Sequence, residues 1–168
     1  MTSPSLQKKI AARLAAVQAL YLYNMGEDTA DDIVVAFVSG TLGGEGLEEN
    51  ITTGEERYVK LSDFDAPMFK SLFMFAVKNQ AMIKDILFAA LDQNQWPKDR
   101  LEQVLSAILE IGIGELFADT TTDRAVIINE YINLARSFYE DGPEVGLTNV
   151  VMDKAAKAMD AAAKDIKA

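Results

Sequence analysis

INEYINLARSFYED, residues 128–141, is the stretch whose reading decides the fold. Ile128, Tyr131, Ile132, Ala135 and Phe138 recur at helical spacing, while Asn129, Asn133 and Arg136 follow one another at i, i+4 and i+7 on another side. A period near 3.6 with one dry and one wet face is the mark of an amphipathic helix. Such a helix needs apolar neighbours, and the flanking sequence supplies them.

Upstream, LEQVLSAILEIGIGELF predicts a helix over about 101–117, and ADTTTD turns the chain, with Asp123 or Thr122 capping the 128–141 helix. Gly112 and Gly114 form a lone GxG with no strand before it. It is no phosphate loop, and close approach of a neighbouring helix explains it. Downstream, EDGPEVG ends the helix, a last helix runs from Leu147 towards Met159, and residues 160–168 form a frayed tail.

At the amino end a helix is expected from Leu6 to Met25, stopped by Gly26, with Ile10, Leu14, Val17 and Tyr21 as its apolar stripe. Thr29 is the N-cap of a short helix that starts with Asp31 and Asp32 and stops at Gly40. GTLGGEGLEENITTGEER (40–57) has five glycines and five acids, so 40–60 reads as a mobile acidic Gly-rich loop. One long helical region then spans Ala66–Asp92, with Phe69, Leu72, Phe73 and Val77 as core, and NQWPKDR breaks it. The expected fold class is all-α, a compact bundle of six or seven helices in a single domain over 1–168.

Composition narrows function more by absence than by content. The chain has no Cys and no His, which excludes thiol catalysis, a histidine base and zinc sites built on either residue. Glu27, Asp28, Asp31 and Asp32 lack the alternating ligands of a calcium loop and read as a solvated helix start. No catalytic residue, metal or cofactor is therefore expected. No apolar run approaches a membrane span of about 20 residues, and the N-terminus is a poor signal peptide, so a cytoplasmic protein is expected.

The net charge of −10 argues against broad nonspecific binding to nucleic acid, which Lys and Arg drive. Charge is nevertheless uneven. Residues 26–56 carry nine acids and no base, whereas residues 1–25 carry Lys8, Lys9 and Arg13 and no acid. Lys9 and Arg13 are i, i+4 neighbours, and all three cations are expected to be exposed on one local basic site.

Three stretches, ARLAAVQALYLYNM (12–25), FKSLFMFAVKNQAMIKDIL (69–87) and VIINEYINLARSFYEDG…LTNVVMDKAAK (126–157), resemble the NusB family of transcription antitermination factors in order and spacing. The most specific pieces are AVQALY, INE…LARSF and NVVMDK. The resemblance implies two small perpendicular helical bundles and a non-catalytic role. It implies binding to boxA-type RNA together with the ribosomal protein NusE, acting indirectly on the RNA polymerase elongation complex, without a membrane; a homodimer stays open.

By the same resemblance Lys8, Lys9 and Arg13 fall on the family's arginine-rich first helix, and Asn149 joins the RNA-facing group. Asn129, Glu130 and Asp153 are assigned to structural polar contacts, with Lys157 as an alternative partner for Asp153. The chain departs from the pattern at Ala11 and Glu110, where bases are usual, and at Gly114, where Tyr is usual. PEVGLT, before Asn149, lacks the family's basic and aromatic residues. Those departures define a second reading, a divergent paralogue that is a protein-interaction adaptor without RNA binding. A third, an RNA methyltransferase to which such a domain is sometimes fused, leaves no residues for a cofactor-binding sheet.

Overall fold

The computed structural model describes residues 3–40, 45–49, 56–60 and 63–167. Within them are seven α-helices and one two-stranded hairpin, divided between two compact units, Met1–Ser71 and Leu72–Ala168.

In the first unit, α1 (Pro4–Met25) starts where the Ser3 side chain accepts from the Leu6 N–H at 3.1 Å, with Pro4 just inside, and stops at Gly26. Its buried face is not the expected stripe. Val17 is buried, but Ile10 is exposed and Leu14 and Tyr21 are half-buried; the alanines at 12, 15, 16 and 19 and Leu20 complete the inner face. Alanines let another backbone approach closely, so the apolar face of α1 is narrow and easily misplaced by counting large side chains. α2 (Ala30–Val38) is capped by Thr29, whose hydroxyl accepts from the Asp32 N–H at 3.1 Å, and it buries Ile33, Val34 and Phe37. Gly40, at φ 82°, takes the left-handed conformation after its end. Phe37 stacks on Phe69 with ring centroids 5.2 Å apart, and Phe64 meets Phe69 edge-on at the same distance.

The segment expected as a mobile loop holds β1 (Glu45–Glu49) and β2 (Glu56–Lys60), antiparallel, with Leu47 opposite Tyr58 and Glu45 opposite Lys60. EGLEE has one apolar residue and three acids, so neither β propensity nor alternation announces it. Residues 41–44, 50–55 and 61–62 lie outside the described residues.

The expected Ala66–Asp92 helix is two helices, α3 (Ala66–Lys78) and α4 (Gln80–Ala90). Asn79 separates them with a non-helical backbone at φ −117° and ψ 26°, and both its N–H and its side-chain amide donate to the Phe75 carbonyl, at 3.0 and 2.9 Å. In the second unit α5 (Gln103–Ala118) is buried on every side over residues 107–116, which makes it the central helix there. Glu102 caps it, accepting from the N–H groups of Val104 and Leu105 at 3.1 and 3.3 Å.

α6 (Arg124–Tyr139) and α7 (Pro143–Lys167) pack against α5 and against each other. Asp123 caps α6, with Tyr131 and Ala135 buried, Asn129, Asn133 and Arg136 exposed, and Phe138 exposed rather than dry. The tail expected to fray instead continues α7 through Lys167. Arg124 reaches across from α6, bonding the Ala156 carbonyl at 2.9 Å and the Asp160 carboxylate.

The two central glycines differ in a testable way. A Cβ on Gly112 would sit 2.8 Å from Met152 Sδ and 3.1 Å from the Tyr131 ring, whereas one on Gly114 meets only Ile83 and Phe75 at 3.5 Å. Gly114→Ala is therefore expected to gain about 0.5–1 kcal/mol of stability from helix propensity, and Gly112→Val to lose about 1–3 kcal/mol by overpacking. Urea unfolding of both variants checks the contrast; equal effects would mean that helix spacing does not set these positions.

Candidate nucleic-acid interface

Lys8 and Lys9 are exposed on the first turns of α1, a helix with no acid in its first turn. The Lys8 carbonyl accepts from the Asp65 N–H at 3.1 Å, so the backbone carrying these cations is tied to the start of α3. Arg13, the third expected cation, is not part of this surface. It is 6% exposed, on the inner face of α1 among Ala12, Ala16 and Val17. Spacing of i, i+4 puts Lys9 and Arg13 on neighbouring turns, but position 13 falls inside the alanine face. A buried guanidinium has to be satisfied from within the protein and cannot meet phosphate.

In the second unit Asn149 and Asn129 are exposed and Glu130 is half-buried. Asp153 pairs with Lys157 at 2.9 Å, one turn on along α7. Arg136 bonds the Asn133 side chain at 3.1 Å, so the wet face of α6 is partly engaged with itself.

Glu110, which stands where the family resemblance places a base, is 1% exposed. Its Oε2 accepts from the Ser106 hydroxyl at 3.0 Å, and Oε1 is buried with no partner of hydrogen-bonding geometry. Burial pushes this carboxyl above its ordinary value, while the Lys84 cation and the Ser106 and Gln80 side chains pull it back. The residue is an internal polar group, not a repulsive surface charge. Sequence reasoning also misses Glu115, buried on α5, whose carboxylate accepts from the Tyr131 hydroxyl at 2.8 Å and so ties α5 to α6. Their helical phase, central in α5 and on the dry face of α6, is the available signal.

Among the described residues no group of three or more Asp or Glu is placed to hold a metal ion. The first unit offers two exposed lysines, which suit phosphate, and the second an exposed amide, which suits hydrogen bonding.

The NusB family model matches residues 10–157. The chain belongs to the NusB family. Among curated relatives, the transcription antitermination protein NusB of Rhodospirillum rubrum is 38% identical over 154 residues, covering 88% of this chain and 82% of the relative. That of Rhizobium etli is 36% identical over 154 residues, covering 92% and 89%. Solved NusB structures share the fold: a chain from the antitermination factors NusB and NusE in complex with dsRNA has a TM-score of 0.65 at 18% identity, covering 91% of this chain and 98% of that one. T. maritima NusB has a TM-score of 0.64 at 20% identity, covering 94% and 93%. The all-helical class and the NusB resemblance expected from the sequence both hold.

Proposed function

We propose that this chain is a non-catalytic transcription antitermination factor that binds boxA-type RNA together with NusE, acting in the cytoplasm and only indirectly on RNA polymerase. The observation that carries this reading is the match over most of the chain to relatives named transcription antitermination protein NusB. The solved complex of NusB and NusE with dsRNA, whose fold this chain shares, supports the choice of partners. The RNA-free adaptor loses its main support once Glu110 is internal, since no reversed charge then faces a phosphate backbone. No helix among the described residues is long and apolar enough to cross a membrane.

Lys8 and Lys9 supply the charge that steers RNA, and Asn149 a hydrogen-bonding edge on α7. With few cations the affinity of the chain alone is modest, and NusE strengthens it. The test is fluorescence anisotropy of a labelled boxA-type RNA, titrated with and without NusE at low and physiological salt. Binding that salt weakens and NusE strengthens is expected. Lys8→Glu plus Lys9→Glu is expected to lower affinity at least tenfold and to flatten the salt dependence by about two counterions, with thermal stability unchanged. No RNA binding in any condition, with NusE still captured, would establish the adaptor instead.

A further inference from the structure

The second unit contains a cleft of about 290 Å³ lined by Asp92, Gln95 and Trp96 from the turn after α4 and by Leu147, Val150 and Lys154 from α7. Its chemistry is mixed in a specific way. Trp96 is the one tryptophan of the chain and is half-buried. Leu147 and Val150 add apolar side chains to the lining of the same cleft. Lys154 lies one helical turn beyond Val150 on the same face of α7.

The turn that presents Trp96 is fixed. The Asp92 carbonyl accepts from the N–H groups of Gln95 and Trp96 at 3.1 and 2.6 Å, and the Asp92 carboxylate from the Asn94 N–H at 3.0 Å. Lys154 donates to the Ala90 carbonyl at 3.5 Å, at the last residue of α4. That uses one of the three donors of an ammonium and leaves two for a ligand.

An indole that lines a cleft together with aliphatic side chains offers a stacking surface to a flat heterocycle. Gln95 and Asp92 at the rim offer a donor and acceptors to the edge of such a ring, and Lys154 offers a cation to a phosphate joined to it. An aliphatic peptide side chain would use the apolar lining and leave those polar groups unmatched. We propose that this cleft is a nucleotide subsite, in which one unpaired base of single-stranded RNA stacks on Trp96 and its backbone phosphate meets Lys154. The inference rests on the RNA-binding reading above and adds to it a second contact, on α7 and the α4–α5 turn. It also supplies an aromatic platform to a chain whose PEVGLT segment has none.

Because Trp96 is the sole indole, the full chain without NusE reports directly on the cleft. A short single-stranded boxA-type RNA is titrated while its anisotropy and the Trp96 emission are followed together. Quenching with the same midpoint as the anisotropy is expected. Trp96→Leu is expected to weaken binding about tenfold, the scale of one lost base stack. Lys154→Gln, at an exposed position, is expected to reduce the salt slope by about one. A duplex of the same sequence should leave Trp96 emission unchanged, since its bases are not open to stacking.

RNA binding by anisotropy with unchanged Trp96 emission, and with Lys154→Gln binding as the wild type does, overturns the subsite and leaves the antitermination reading standing. Absence of any anisotropy change, with and without NusE, overturns both.

Discussion

Arg13→Glu is expected to unfold the first unit at markedly lower temperature, a loss of about 3–5 kcal/mol, the scale for leaving buried charge uncompensated. For a chain of this size that corresponds to a fall in Tm of about 10 °C or more. The reason is position. Arg13 is 6% exposed on a helix face otherwise built from alanines, Val17 and Leu20, so a carboxylate there exchanges a satisfied cation for an anion with no water. Arg13→Lys is expected to recover only part of the loss, because an ammonium lacks the planar fork of the guanidinium. Lys9→Glu, on the exposed turn before it, is expected to change stability by less than about 0.5 kcal/mol. Thermal unfolding of the three variants followed by circular dichroism decides the matter. An unchanged Tm for Arg13→Glu would place the guanidinium in solvent and return it to the RNA-facing set.

What can be read from the sequence follows from where each signal is local. Caps are local, and Thr29, Asp123, Gly26 and Gly40 act at the ends assigned to them. Large apolar side chains at helical spacing are nearly as legible. Phe69 and Phe73 are fully buried, and the wet face of α6 carries Asn129, Asn133 and Arg136 as expected.

Legibility ends where burial is set by a partner element. Alanines on α1 carry no hydrophobic weight in a pattern, yet they are the inner face, and they take Arg13 with them. Asn79 interrupts a helical run through the non-helical dihedrals of one residue, which periodicity does not register. The strands at 45–49 and 56–60 are specified by pairing with each other, not by an alternation visible in either alone. Trp96 stands in the sequence as part of a helix breaker and nothing more. The cleft it lines requires α7, some fifty residues away, to exist.

Glu110 bears directly on the stability of the second unit. By resemblance a base is usual at this position, yet Glu110→Lys is expected to destabilise the chain by about 3–5 kcal/mol, because the new ammonium would be buried with Lys84 already beside it. If the Glu110–Lys84 juxtaposition is the cause, adding Lys84→Glu to Glu110→Lys recovers part of the loss, a coupling that a double-mutant cycle measures.

The neutral isostere behaves oppositely. Burial raises the Glu110 carboxyl above its ordinary value of 4.5 in the fold, so between that value and the folded one the folded chain holds a proton that the unfolded chain has released. Stability contributed by this group is therefore present at low pH and lost as pH rises through that window. Glu110→Gln removes the charge whose desolvation raises the carboxyl, and is expected to be more stable than the wild type at neutral pH. The advantage should shrink as pH falls towards 4.5. Urea unfolding of both chains at a series of pH values reads the difference directly. An advantage that grows on acidification would mean that Lys84 outweighs desolvation and that Glu110 is a stabilising ion-pair partner.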